Sequence, residues 1–147
     1  MKNDKTDNHE QIFWEEIDRL FPDMIKAIAS LSKKSYLSIT NLRTGITWWS
    51  ERAMDYFGMK ENYTIRSMEK ANRKIHPDDV ATFKRGFKER VDGKNLDTAW
   101  EYRIQDGDSY NRFNAMARVL YDEQKQPFII IIRYDNYGIS DEVDSVT

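Results

Sequence analysis

The side chains that most often carry chemistry are few in this sequence and lie far apart. Among its 147 residues there are two histidines, His9 and His76, and no cysteine. The lack of cysteine excludes disulfides, thiol nucleophiles, cysteine-ligated zinc and iron–sulfur clusters. Two histidines in polar contexts do not make a serine–histidine–acid triad, and the six glycines are scattered among turns. We therefore predict that the chain is not itself an enzyme and holds no metal and no cofactor.

His76 belongs to Ile75-His76-Pro77-Asp78-Asp79, the clearest helix start in the chain. Proline at the first helical position has no amide proton to leave unpaired, and carboxylates in the first turn favour the positive end of the helix dipole. We expect His76 to cap this helix at the surface. Haem ligation by His76 is the alternative, but no other residue supports it.

The charge pattern does not favour nucleic acid or a membrane. The formal net charge is −2, and Lys84, Arg85, Lys88 and Arg90 are predicted to form the solvent face of a helix that also carries acids. The longest apolar run, Phe128 to Ile132, is too short to span a bilayer, and the amino terminus has no signal-peptide pattern. We expect a cytoplasmic protein without membrane insertion.

Residues 96–135 predict three antiparallel strands joined by short turns. Trp100, Tyr102 and Ile104 alternate with polar residues, Asp106-Gly107 suits a tight turn, and a second alternating strand runs from Tyr110 to Tyr121. Phe128 to Tyr134 is a β-branched run. One face of such a meander needs an apolar cover.

Two strands and several helices precede the meander. The predicted strands are 35–41 and 46–49, the predicted short helices are 51–57 and 64–74, and a longer helix begins at Pro77. This order predicts an α+β fold in which a five-stranded antiparallel sheet carries helices on one face.

The N-terminal region is predicted to be a disordered arm over 1–8 and a helix over 9–33, kinked or broken at Pro22. Apolar residues spaced by three and four form a seam along this helix. The seam either packs on its own domain or joins two copies of the chain as a homodimer, and both interpretations stay open. The residues predicted for a dimer helix are Phe13, Ile17, Leu20, Met24 and Leu31.

The space between sheet and helices is the remaining candidate site. It either is a filled core or binds a small aromatic or apolar ligand beside buried tryptophan and tyrosine tips. The predicted lining residues are Leu37, Ile39, Trp48, Phe57, Met68, Phe83, Trp100, Tyr102, Phe113, Ile130 and Ile132.

The arrangement and its local motifs resemble a PAS domain of the subclass with a PAC-type second half. The matching motifs, in order, are Gly45 to Ser50, Tyr56-Phe57-Gly58, Ile75 to Asp79, Glu101-Tyr102-Arg103, Asp106-Gly107 and Asp122-Glu123, with Pro127 before the last strand. The resemblance implies a sensory or dimerisation domain over 34–137. Asp135, Asn136 and Tyr137 would form its signal exit, the segment through which a change in the domain reaches the next one. Lys125 stands where the family often has glycine, and the family's threonine after Asp135 is absent.

The last residues, Asp144-Ser145-Val146-Thr147, resemble the opening of a diguanylate cyclase (GGDEF) domain. This resemblance implies that 138–147 is a linker to a cyclic-di-GMP synthase whose catalytic residues lie outside the chain. The alternatives are a small-molecule-binding PAS module attached to another output, such as a histidine kinase, and a curved-sheet enzyme of the nuclear-transport-factor type. No convincing acid/base pair supports the enzyme.

Overall fold

The structure, a computed structural model, describes residues 4–65 and 73–139, with side chains from residue 8 onward. A 3₁₀ turn at Pro77–Asp79 leads directly into the last helix. The elements in chain order are α1 (Asp4–Leu20), α2 (Met24–Leu31), β1 (Tyr36–Asn41), β2 (Ile46–Trp49), α3 (Glu51–Phe57), β3 (Tyr63–Ile65), α4 (Val80–Val91), β4 (Trp100–Asp106), β5 (Ser109–Tyr121) and β6 (Pro127–Ile139).

All the strands belong to one antiparallel sheet in the order β3-β2-β1-β6-β5-β4. The predicted antiparallel α+β fold is confirmed, and β3 is an additional edge strand beyond the five expected. Thr64 and Ile65 are therefore strand residues and not the start of a helix, because they pair with β2 and Tyr63 is buried beside them. The rest of the predicted helix over 64–74 lies mainly outside the described residues.

Local caps fix the short helix α3. The Ser50 hydroxyl accepts from the backbone N–H of Ala53 at 3.4 Å and also from that of Leu37 at 3.1 Å. Gly58 ends the helix in the left-handed region at φ 65°, where a residue without Cβ is favoured. Ser50 thus ties the helix start to β1.

The two faces of the sheet are covered by different helices. We call the face under α3 and α4 the inner face and the opposite one the outer face. The buried inner residues are Trp49, Ala53, Ile75, Phe83, Trp100, Tyr102, Ile104, Phe113, Ala115, Ala117, Val119, Ile130, Ile132 and Tyr134. The buried outer residues are Phe13, Ile17, Ile25, Ala29, Leu37, Ile39, Ile46, Trp48, Tyr63, Phe128 and Ile129.

The N-terminal helices provide the cover of the outer face. The chain leaves the helical conformation around Pro22, and Asp23 adopts φ 64° before α2 begins. Helix α1 starts at Asp4, so the prediction of a disordered arm is wrong for residues 4–8. The Asn41 amide donates to the Phe13 carbonyl at 3.3 Å, and Trp14 Nε1 donates to the Tyr63 hydroxyl at 2.9 Å. These bonds join α1 to both β1 and β3.

Candidate sensory site

The inner face brings together six of the predicted pocket residues. Helix α4 supplies Phe83, and its ring meets that of Tyr102 edge to face with centroids 4.9 Å apart. Phe57 packs at the margin of the same cluster and is only half-buried. The six are Phe83, Trp100, Tyr102, Phe113, Ile130 and Ile132. They form a continuous aromatic and aliphatic layer between α4 and the sheet.

Three other predicted pocket residues do not face this space. Leu37, Ile39 and Trp48 lie on the outer face, under α1 and α2. Ile39 pairs with Ile131, whose neighbours along β6 point to the inner face, and side chains alternate along a strand. The interpretation that all three line one pocket with the meander is therefore wrong. Met68 lies outside the described residues.

Three hydroxyls follow one another across the inner face. The hydroxyls of Ser38 and Tyr134 form a hydrogen bond of 3.2 Å. The Tyr102 hydroxyl lies beside that of Tyr134 and interacts with it. Burial raises the pKa of Tyr134 to about 12 and that of Tyr102 well above its ordinary value. Both phenols therefore stay protonated at neutral pH.

Arg90 of α4 is buried on the side of the helix that faces the sheet, although its sequence context predicts an exposed position. It is 2% exposed, and its guanidinium carbon lies 4.1 Å from the centre of the Trp100 ring. The guanidinium donates to the carbonyls of Gly86, at 3.2 Å, and Thr98. Arg90 follows Phe83 by seven residues, which places both on the same side of the helix. That spacing was the available signal for its burial.

Gly86 brings α4 close to the sheet. A Cβ at this position would lie 2.8 Å from an atom of the Trp100 indole. Glycine therefore allows the indole to lie against the helix backbone, with Arg90 on its face. The contact of Trp100 with Gly86 and Arg90 therefore sets how closely α4 approaches the sheet.

His76 caps the 3₁₀ turn before α4. Its Nδ1 accepts from the backbone N–H of Asp78 at 3.1 Å, and its ring lies 4.6 Å from that of Tyr110. Asp79, in the same turn, binds Arg103 of β4 through Nε at 2.8 Å and through Nη2 at 3.1 Å. Within residues 4–65 and 73–139 no group of histidines and acids is placed to hold a metal ion. The arrangement positions the start of α4 against the edge strand.

The predicted signal exit is the last part of β6. Tyr134 pairs with Tyr36, the first residue of β1. Among the strands that the structure describes, the part of β6 beyond Tyr134 therefore pairs with β5 alone. Asp135 and Asn136 pair with Asn114 and Phe113. Gly138 has φ 89° at an irregularity in this pairing. The exit is thus an extension of the strand that carries Ile130, Ile132 and Tyr134 on the inner face.

The predicted dimer helix divides into a docked and an exposed part. Phe13 and Ile17 are 0% exposed and pack on the chain's own sheet, so they are not available to a second copy. Leu20 is partly buried in the same cluster. Met24 is 42% and Leu31 is 88% exposed on α2. The part of the seam available for dimerisation is therefore restricted to α2.

The family model for the PAS fold matches residues 46–132, more than half of the chain and most of the described sheet. This chain belongs to the PAS family. PAS domains are sensory modules of signalling proteins, and this role applies to the present domain at that general level. No curated protein matches the sequence.

Solved structures share the fold of this PAS domain at low sequence identity. A sensory box histidine kinase/response regulator from Burkholderia thailandensis is 16% identical with a TM-score of 0.60, over 82% of this chain and 88% of that one. The N-terminal domain of a diguanylate cyclase with PAS/PAC sensor from Marinobacter aquaeolei is 15% identical with a TM-score of 0.58, over 71% and 95%. A PAS domain from Colwellia psychrerythraea is 17% identical with a TM-score of 0.52, over 79% and 98%.

The described helices of this PAS domain include none that is both long and apolar enough to cross a membrane.

Proposed function

We propose that this PAS domain acts as the dimeric regulatory part of a signalling protein and controls an attached diguanylate cyclase. The observation that carries the proposal is the course of β6. One central strand places Ile132 and Tyr134 on the inner face and continues directly into the exit residues Asp135 to Tyr137. A change in inner-face packing would therefore shift the strand that leads out of the domain.

The choice of output rests on two observations. Residues 144–147 resemble the opening of a diguanylate cyclase domain, and a similar fold forms the N-terminal domain of the diguanylate cyclase from Marinobacter aquaeolei. A domain that precedes the catalytic part can regulate it by changing how two catalytic domains meet. The mechanism is a population shift between two packings of the domain, each favouring a different arrangement of the outputs.

The dimer surface in this proposal is the exposed side of α2. Met24 and Leu31 are seven residues apart on one helix, so they project from the same side. Phe13 and Ile17 instead hold α1 to the sheet. Contact through α2 would therefore leave the docked helix in place and join the two copies beside their outer faces.

A second candidate function is a small-molecule-binding module attached to another output, such as a histidine kinase. The aromatic layer of Phe83, Trp100, Tyr102 and Phe113 favours this candidate, since rings of this kind commonly line ligand pockets. The fold shared with the sensory box histidine kinase/response regulator is compatible with that output.

Native mass spectrometry of the purified chain separates the two candidates. We expect a ligand-free dimer of twice 17.5 kDa for the dimeric regulator, and a stoichiometric bound small molecule for the binding module. The double variant Met24→Glu/Leu31→Glu should convert the dimer to a monomer. Two charges placed at the centre of an apolar contact would lose their hydration when the copies associate. Ser30→Glu, also exposed on α2, is the control. A monomeric wild type at high concentration would contradict the dimer.

A further inference from the structure

Where β5 and β6 form the outer face, α1 and α2 pack at the end that holds the β5–β6 turn. Ile129 belongs to their buried cluster, and Arg19 of α1 contacts Glu123 in that turn at 3.0 Å. At the opposite end, none of the described outward residues of β4, β5 or β6 belongs to either buried cluster. We call this opposite end, which holds Arg103 and Arg112, the exit end, because β6 leaves the sheet there.

Two arginines lie opposite each other at the exit end. Arg103 of β4 pairs with Arg112 of β5, and both point to the outer face because their neighbours Tyr102 and Phe113 point to the inner one. Like charges directly opposite in a sheet repel each other. The charged residues at the outward positions of these three strands are four arginines, Arg103, Arg112, Arg118 and Arg133, and two acids, Glu101 and Asp135. This part of the outer face therefore has an excess of positive charge.

A cavity of about 240 Å³ lies beside the two arginines, lined by Asp79, Glu101, Tyr102, Arg103 and Arg112. Asp79 binds Arg103, and Glu101 Oε1 lies 3.3 Å from Arg112 Nε. The Arg103 and Arg112 side chains are 25% and 28% exposed, so the cavity can be reached from solvent. A guanidinium has five N–H donors and a bidentate carboxylate accepts from two of them, so one arginine can bind more than one acid.

The chain leaves the sheet close to this cavity. Ile139, the last residue of β6, pairs with Asn111, the neighbour of Arg112. Adjacent strands lie about 5 Å apart, so β4 and Arg103 are about 10 Å from β6. Residues 140–147 follow, and eight residues can span at most about 29 Å. The charged residues of this segment are all acids, namely Asp141, Glu142 and Asp144.

We propose that the acidic segment 140–147 folds back over the exit end and places its carboxylates on Arg103 and Arg112. Its charge is opposite to that of the surface, and its length is sufficient to reach both arginines. The inference rests on the proposed function, since it specifies how the output is regulated: bound acids hold the linker against the outer face, and their release frees it. Ion pairs at a partly exposed site are weak and are screened by salt, which suits a contact that must open.

Backbone ¹⁵N relaxation of the full chain tests the proposal. In the wild type we expect the amides of the three acids to have order parameters above about 0.6, below which a backbone is flexible. The triple variant Asp141→Asn/Glu142→Gln/Asp144→Asn should bring them below that value and leave β5 and β6 unchanged. Salt at about 1 M, where the screening length is about 3 Å, should have the same effect on the wild type. The matched control is Ser140→Ala/Ser145→Ala/Thr147→Ala, which keeps the charges and should behave as the wild type.

A second variant tests the surface that receives the segment. Arg112→Gln should release the segment, whereas Arg118→Gln, 58% exposed on the same face, should not. If Arg112→Gln fails to fold, the triple variant decides, because it changes no residue of the described sheet.

A segment that is flexible in the wild type, or equally ordered without its three acids, would overturn the proposal. Order that appears only at high protein concentration would also overturn it, because the segment would then bind a second copy. The measurement needs no output domain, so such results would contradict this inference and not the proposed control of a cyclase.

Discussion

Asp79 makes three hydrogen bonds to Arg103, two to the guanidinium and one to the backbone N–H at 2.9 Å. These bonds join the 3₁₀ turn before α4 to strand β4. The side-chain bond to Arg103 lowers the pKa of Asp79 below its ordinary value of 3.8. A carboxyl whose pKa is lower in the folded state stabilises the fold above its unfolded pKa, and this contribution disappears as the pH falls through the folded value.

We expect Asp79→Asn to lower the free energy of unfolding by roughly 1 kcal/mol at neutral pH, the scale of a partly exposed charge-assisted bond. The difference from wild type should shrink as the pH falls through 3.8, the ordinary pKa at which an aspartate in the unfolded chain is half protonated. Urea unfolding at a series of pH values measures it. Asp78→Asn, whose side chain is 81% exposed, is the control. A pH-independent difference would contradict this role.

Gly86 lies in the middle of a helix, where alanine would ordinarily stabilise by about 1 kcal/mol. The opposite is expected here, because the new Cβ would lie 2.8 Å from the Trp100 indole. We expect Gly86→Ala to destabilise the domain by about 1–3 kcal/mol, the usual cost of overpacking. Thermal unfolding measures the change, and Lys84→Ala on the exposed side of α4 should have little effect. A more stable Gly86→Ala variant would show that the helix can move away from the indole.

Arg90 and Tyr134 show what sequence reasoning misses at single positions. Arg90 stands among exposed basic residues, and only its seven-residue distance from Phe83 indicates burial. Tyr134 ends an apolar run, and its partner Ser38 is 96 positions away in the chain. Such a bond depends on strand register, which no local pattern reveals.

Helices α1 and α2 are structural parts of the domain. Phe13 packs at the centre of the outer cluster, with its ring edge-on to those of Trp14 and Tyr63. Arg43 contacts both Glu16 of α1 and Asp122 of the β5–β6 turn. The apolar contacts hold α1 to the sheet. The ion pairs of Arg43, which lies in the β1–β2 turn, link this turn to α1 and to the β5–β6 turn.

We expect Phe13→Ala to lower the free energy of unfolding by about 3–5 kcal/mol, the cost of removing a large buried ring. Ile12→Ala at the neighbouring position, which is 41% exposed, should cost much less. Guanidinium unfolding followed by tryptophan fluorescence compares the two. Similar losses in both variants would mean that α1 does not pack on the sheet in solution.

Elements with strong local signals could be predicted with their boundaries. Strand β2 and helix α3 begin and end where the sequence indicates, because Ser50 and Gly58 fix the helix through neighbouring groups. Strand β3 and the outer position of α1 were not foreseen. Both depend on contacts such as Trp14 with Tyr63, which are 49 residues apart.

At the scale of the whole molecule, helices cover both sides of part of the sheet, and β6 runs through its centre. The sequence predicted the antiparallel sheet and the PAS family, since turns, caps and alternation recur in the expected order. It did not show that the β1–β2 hairpin directs Leu37, Ile39 and Trp48 to the outer face. Alternation determines which residues of a strand share a face of the sheet. Which of the two faces they occupy depends on where helices that are distant in the chain pack.

The central claim is that packing on the inner face is transmitted through β6 to an output domain. Residues 1–147 fused to a diguanylate cyclase catalytic domain allow a direct measurement, namely the rate of cyclic-di-GMP synthesis by the wild type and by Tyr134→Phe. The variant removes the bond to Ser38 without leaving a cavity. Tyr137→Phe, 64% exposed on the same strand, is the control.

We expect the Tyr134→Phe fusion to differ from the wild type several-fold in rate at an unchanged oligomeric state, and the Tyr137→Phe fusion to match the wild type. Equal rates in all three fusions, with the same rate from the isolated catalytic domain, would contradict the account.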